Sequence, residues 1–236
     1  MYLNTRALFA VLLVACVISG CEALGPATWQ MLMSSIKPQA DDTSARLNPA
    51  YQHLRIFIKG RSVFVTLGDR EDHPDGAIDV YYSTGREVIR LQNGRIVGTA
   101  GLLAEWRNVS VQKMPNWAAV ARAREPVLGE RVRDVMPGYR YGIRDKLIVS
   151  KIANPVKSPL VNVNAESLTW FEERHENAPA AGTANWFFKP AMPAESLPPA
   201  RYAVDFSGDR ETVVYGEQCL APDLCFSWQR WIPRKP

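Results

Sequence analysis

The chain has 236 residues, of which 47% are hydrophobic and 22% charged, with a formal net charge of +4. That length is enough for one domain with a full hydrophobic core or for two small ones, and no change of composition marks a second domain. The basic excess is spread without a long Lys/Arg run, which argues against nucleic acid as a partner; a mildly basic surface favours acidic polysaccharide or phospholipid headgroups instead.

The first predicted element is a signal. Arg6 precedes an apolar run from Ala7 to Val17, and Ile18-Ser19-Gly20-Cys21 closes it. A positive n-region, a short apolar core and small residues at the cut define a secretory signal, and the run is too short to span a bilayer. The cysteine directly after Ser19-Gly20 makes the closure a lipobox. In bacterial lipoprotein precursors of this pattern the cysteine thiol takes a diacylglycerol, the chain is cut before it, and the new amine is acylated. Each buried methylene contributes about 0.8 kcal/mol, so three acyl chains exceed what stable anchoring needs. A plain signal with an incidental cysteine fits the pattern less completely.

The expected organisation is a signal peptide over 1–20, a lipidated tether over 21–46 and a single domain over 47–236. Within the tether, Trp29, Leu32, Met33 and Ile36 recur at helical spacing, Thr28 is placed to cap, and Pro38 stops the run. Glu22 follows the lipidation site, whereas Asp there is the usual inner-membrane retention signal of enterobacterial lipoproteins. The expected location is therefore the outer membrane, lipid-anchored and facing the periplasm.

From Tyr51 the pattern is that of strands. Tyr51–Lys59 is rich in aromatic and β-branched residues, Gly60 breaks it, and Ser62–Leu67 resumes it. Gly68 to Gly76 is expected as a polar turn ending in Pro74-Asp75-Gly76. Ala77–Ser83 is the next strand, with Ile78, Val80 and Tyr82 on one face.

Asn93-Gly94 is the strongest hairpin signal in the chain, because a type I′ turn requires positive φ at both central residues. The turn sets a register of Gln92 opposite Arg95, Leu91 opposite Ile96, Arg90 opposite Val97 and Ile89 opposite Gly98. Leu91, Ile96 and Ile89 then share a core face, and Arg90, Gln92 and Arg95 share a wet one. Gly98 and Gly101 predict a bend or close backbone approach before Leu102, Leu103 and Trp106.

Ala118–Arg124 is a short predicted helix ended at Pro126, and Pro137-Gly138-Tyr139 a turn. Tyr139–Ile152 follows as one or two strands around Gly142, and Leu160–Val163 as a brief apolar run. Asn177–Pro199 is loop-prone and carries Trp186-Phe187-Phe188. Strands return at Arg201–Phe206, Thr212–Gln218 and Cys225–Trp231. The sum is one mainly β domain with short helices.

Of four cysteines, Cys16 leaves with the signal and Cys21 carries lipid, leaving Cys219 and Cys225. An oxidising periplasm makes a disulfide their expected fate, whereas the spacing and the lack of an adjacent His argue against zinc. The loop is short, so the bond is expected to stabilise by about 2 kcal/mol.

Several segments together carry a family resemblance. Val80-Tyr81-Tyr82-Ser83, the run from Val88 to Thr99, Gly101-Leu102 and Trp106 resemble the signature of the YjbF/GfcB family, the group 4 capsule lipoproteins. Leu47-Asn48-Pro49, Arg201-Tyr202-Ala203-Val204-Asp205, Gly216-Glu217-Gln218 and Pro222-Asp223 extend the likeness over most of the mature chain, with the central block the specific part. The resemblance implies a β-barrel-like domain of antiparallel strands, outer-membrane lipidation, and a role in secreting or assembling capsule or exopolysaccharide. It transfers no catalytic residue, cofactor or metal. Cys219 and Cys225 are an addition to the family's pattern.

Other chemistry is weaker. His53, His73 and His175 have no Gly-x-Ser-x-Gly elbow beside them, and no cysteine remains as a nucleophile. Asp69, Glu71, Asp72 and Asp75 do not follow the order of a calcium loop and read as a solvated turn. Glu172 and Glu173 would point to opposite strand faces, so they form no glycosidase pair. Most of the aromatics, Tyr81, Tyr82, Trp106, Trp117, Trp170, Trp186, Trp228 and Trp231, are expected to fill the core. Arg90, Gln92, Arg95 and Trp106 remain as candidate contacts to glycan or a partner.

The expected function is non-enzymatic: assistance of capsule or exopolysaccharide export by binding glycan or polysaccharide-export proteins, without cofactor or nucleic acid. The alternative is a lipid-tethered polysaccharide-modifying enzyme, a glycosidase or lyase, which would need a cleft with two close carboxylates or an Arg/His/Tyr cluster.

Overall fold

Period-two alternation of β-branched and aromatic residues makes strands of most of the chain that the structure, a computed structural model, describes: residues 47–155, 160–177 and 197–231. The chain divides into units 1–37 and 38–236, and every described residue lies in the second. The signal, Cys21, the tether helix and the Trp186-Phe187-Phe188 segment lie outside the described residues.

The strands are β1 (His53–Ile58), β2 (Arg61–Glu71), β3 (Ile78–Tyr82), β4 (Val88–Gln92), β5 (Arg95–Ala100) and β6 (Glu105–Gln112). After the short helix α1 (Trp117–Arg122) come β7 (Val127–Met136), β8 (Arg140–Ile152), β9 (Thr169–Asn177), β10 (Ala200–Asp205), β11 (Thr212–Ala221) and β12 (Leu224–Trp231). A 3-10 turn, Ala165–Ser167, precedes β9. All twelve strands form one sheet in the order β5-β4-β3-β2-β1-β12-β11-β10-β9-β8-β7-β6. Each hydrogen-bonded pair is antiparallel.

The sheet rolls into a nearly closed barrel, as the β-barrel-like expectation has it. Its two edge strands, β5 and β6, are consecutive in the chain and meet at a seam, where the Trp106 amide donates to Thr99 Oγ1 at 3.0 Å. The Ile96 amide of β5 donates to Gln218 Oε1 of β11 at 3.2 Å, so part of this edge is satisfied by a side chain.

The antiparallel registers sort the connections to two ends. Residues 47–53, the Asn93-Gly94 turn, α1 and the end of β12 share one end. The β1–β2, β7–β8 and β11–β12 turns share the other. At the first end α1 is capped by Asn116, whose Oδ1 accepts from the Ala119 amide. Its first amides, Trp117 and Ala118, donate to the Glu211 carboxylate at 2.9 and 2.7 Å.

The structure corrects the sequence at three places. The polar turn expected over Gly68–Gly76 is shorter, because β2 runs on through Asp69, Arg70 and Glu71. Two of those charges are paired across strands, Arg70 to Asp79 at 2.7 Å and Glu71 to Arg90, and the Asp69 carboxylate accepts from the Arg70 amide at 2.8 Å. β6 and β7 form strands where none was predicted. The Asn93-Gly94 turn has positive φ at both residues, 49° and 80°, and gives the expected pairs Gln92–Arg95 and Leu91–Ile96. The register then slips by one at a bulge, so that Arg90 faces Gly98 and Ile89 faces Thr99.

Candidate functional site

The hairpin face expected to be wet is covered. Gln92 and Arg95 are buried, and Trp106 is fully so; only Arg90 is partly open. Gln92 Nε2 donates to the Gly76 carbonyl at 2.8 Å and lies 2.9 Å from His73 Nδ1, so it ties the hairpin to the β2–β3 turn. Ile78, Val80 and Val97 pack on this face with Val109 and Val111 of β6.

Arg95 and Trp106 are brought together in a buried ionic cluster. Arg95 of β5 donates through Nε to Glu173 Oε2 of β9 at 2.7 Å. Arg131 Nη1 of β7 lies 3.7 Å from the other Glu173 oxygen, and Arg131 Nε donates to Asp145 Oδ2 of β8 at 2.8 Å. Arg133 donates to the same carboxylate through Nε at 2.7 Å and Nη2 at 3.2 Å. Arg131 and Arg133 lie against the Trp106 ring, 4.4 and 4.7 Å from its centroid. Arg95 lies over Trp117 at 4.1 Å and is 5.6 Å from the Tyr202 ring. The Trp106 indole donates to the Leu220 carbonyl across the barrel at 3.0 Å.

All five charged groups are buried, three cations against two carboxylates. Paired and hydrogen-bonded charges with aromatic faces beside them are the form in which buried ions persist. Burial pushes the Asp145 carboxyl up, but the Arg133 hydrogen bonds and the Arg131 and Arg133 charges outweigh it and hold the group below the usual carboxylate range. Burial, with the Arg131 and Arg133 charges, lowers His175, whose Nε2 accepts from the Leu197 amide at 3.2 Å. Burial raises the Tyr202 hydroxyl, which donates to Gln218 Oε1 at 3.1 Å.

The two adjacent glutamates fall on opposite faces, as the strand pattern predicts. Glu173 is inside, and Glu172 is outside, bonded to Arg174 at 2.7 Å and near Arg201 at 3.6 Å. Asp145 and Glu173, the interior carboxylates of this cluster, are both held by arginines. His53 is structural, its ring nitrogens within 3.1 Å of Thr66 Oγ1 and 3.0 Å of the Asn48 carbonyl. Among the described residues no group of three or more His, Cys, Asp and Glu is placed to hold a metal ion. Cys219 and Cys225 form the expected disulfide, directly opposite each other on β11 and β12.

Arg131, Arg133 and Asp145 are the cluster members that sequence missed. Sequence offered little to find them by, because Glu130 and Asp134 flank the two arginines and Arg144 and Lys146 flank Asp145, so the inward charges do not stand out from the outward ones.

Two clefts lie among the described residues' side chains. One of about 420 Å³ sits near the disulfide, lined among others by Phe57, Lys59, Arg201, Glu217 and Cys225. The other, about 250 Å³, lies along β7 and β8 and is lined by Lys113, Leu128, Glu130, Arg144 and Lys146 with Asp145 beneath. Tyr139 and Tyr141, at the tip of the same hairpin, are 72% and 64% exposed.

No family model matches the chain, and no curated protein matches it. Among solved structures it is similar to the crystal structure of the hypothetical lipoprotein YmcC from Escherichia coli K12. The TM-score is 0.53 at 11% identity, over 91% of this chain and 100% of that one. At that identity the likeness is one of fold.

Proposed function

We propose that this protein is an outer-membrane lipoprotein of the YjbF/GfcB type that assists capsule or exopolysaccharide secretion without catalysing a reaction. One observation carries this reading: the separated sequence blocks of the resemblance converge in space. From the central block, Arg95 reaches the Tyr202 ring and the Ile96 amide bonds Gln218. Tyr202 and Gln218 come from the two C-terminal blocks and bond each other. Residues of the central block and of the two C-terminal blocks thus meet one another although they are more than 100 positions apart in the chain. The likeness in fold to YmcC, a hypothetical lipoprotein, supports the lipoprotein part of this reading. The lipobox at Cys21 supplies the tether, and the engagement of Asp145 and Glu173 by arginines favours a scaffold over a glycosidase.

The test is genetic and biochemical together. Deleting the gene, under conditions in which the polymer is made, is expected to reduce surface polysaccharide. The full-length gene is expected to restore it, and Cys21→Ala to fail although the protein accumulates folded. The purified protein should release no new reducing ends from the polymer. Unchanged polysaccharide in the deletion strain refutes the export role, and new reducing ends favour the enzyme.

A further inference from the structure

The β7–β8 hairpin carries features that the fold does not use. Tyr139 sits at φ 50°, a left-handed conformation that is unfavourable for a bulky residue. Its ring is exposed and meets the Tyr141 ring at a centroid distance of 6.5 Å. A strained, exposed aromatic at a turn gains nothing from the barrel core. The tip is nonetheless held in shape, because Asp134 accepts from the Gly142 amide and from Asn108 Nδ2, each at 2.8 Å.

Along the same hairpin, Arg144 follows Tyr141 by three residues and Lys146 by five, roughly 10 and 16 Å at strand rise. With Lys113 they rim the 250 Å³ cleft. The carboxylates facing them are Glu130, 2.7 Å from Arg144 and 3.9 Å from Lys113, and Glu176, 3.7 Å from Lys146. Asp145 beneath is already engaged by Arg131 and Arg133. The strip is therefore an aromatic platform continued by a cleft with a cationic rim.

We propose that this strip binds a stretch of acidic polysaccharide, sugar faces stacking on Tyr139 and Tyr141 and carboxylates meeting Arg144, Lys146 and Lys113. The proposal rests on the export reading and assigns its glycan site. A linear ligand lying along the hairpin touches both parts. A bilayer met by the tip would touch only the tyrosines and leave the cations to the side. An acidic peptide has no edge to add to as a strand along β7, which β6 and β8 flank, or along Asp145–Ile152 of β8, which β9 covers.

The test uses the full-length protein in detergent and oligogalacturonate as the acidic probe, with a neutral cello-oligosaccharide, oligoglutamate and phosphatidylglycerol vesicles as comparators. Oligogalacturonate is expected to bind better than all three, and more weakly as salt is raised. Tyr139→Ala/Tyr141→Ala is expected to weaken it about tenfold or more with the melting temperature unchanged. Arg144→Gln/Lys146→Gln is expected to remove most of the salt dependence. No binding of oligogalacturonate at low salt, binding that the tyrosine variant leaves unchanged, or a preference for vesicles or oligoglutamate overturns the proposal.

Complementation separates this site from the wider function. If deletion reduces polysaccharide and the tyrosine variant restores it fully, the site is wrong and the export role stands. If deletion has no effect, the export role itself is wrong.

Discussion

Asp145→Asn removes one charge from the barrel interior while keeping the side chain's shape. Asp145 is completely buried and takes three hydrogen bonds, from Arg131 Nε at 2.8 Å and from Arg133 Nε and Nη2 at 2.7 and 3.2 Å. After the substitution the cluster holds three buried guanidinium groups and one carboxylate, Glu173, and Arg133 loses its ionic partner. Breaking a buried pair by removing one partner costs about 3–5 kcal/mol, because the other partner stays buried and uncompensated. That is a large part of the roughly 5–15 kcal/mol that holds a typical domain folded. At about 2–4 °C per kcal/mol for a domain of this size, the melting temperature should fall by roughly 6–20 °C.

Thermal and urea unfolding followed by circular dichroism at pH 7 measures the change. Asp145→Asn/Arg133→Met, which removes an orphaned cation as well, should recover part of the loss. The pH dependence supplies a second check. The folded Asp145 pKa lies below its unfolded value, so its contribution is present above the unfolded carboxylate pKa, about 3.9, and is lost as pH falls through the folded value. The stability curves of wild type and Asp145→Asn should therefore converge in acid. A single variant within about 1 kcal/mol of wild type at pH 7, or a double variant no better than the single, refutes the charge argument.

Two further outcomes follow from the same interior. His175 has a folded pKa below its ordinary value, so between the folded and unfolded values the unfolded chain binds more protons and stability falls as pH drops below about 6.5. His175→Gln should flatten that limb in unfolding measured from pH 7 to pH 5, and an unchanged slope would assign it to other groups. At Gly216 a Cβ would come within 2.7 Å of the fully buried Trp228 ring, so Gly216→Ala should cost about 1–3 kcal/mol in urea unfolding, whereas a neutral result would mean that the ring has room to shift.

How much of this was legible in sequence depends on what each strand faces. β1, β3, β4, β10 and β12 were readable because their buried positions are apolar, as at Leu54, Val80, Leu91, Val204 and Trp228. The Asn93-Gly94 turn was readable because its backbone demand is local. β7 was missed because Arg131 and Arg133 point inward, where the hydrophobic alternation that signals a strand is replaced by charge. β6 was missed because Asn108, at φ 47°, accompanies a register shift that interrupts its alternation. Arg95 was placed on the correct side of its hairpin but given the wrong surroundings. Local register fixes which side a residue faces, and only the closed sheet determines what lies there. The exposed tyrosine pair had no sequence signal beyond its turn.

The seam between β5 and β6 has a consequence for the connectivity of the barrel. The ladder between β1 and β12 joins the two ends of the domain, so the first and last strands are neighbours within a continuous sheet. The one break in that sheet falls instead between consecutive strands, at residues 101–104, where no backbone ladder crosses. In topological terms the barrel is a ring whose cut lies in mid-sequence and whose ends are already spliced by hydrogen bonds. A circular permutant opened at 101–104, with its old ends linked, would preserve all eleven strand pairings while reversing which part of the barrel emerges first during synthesis.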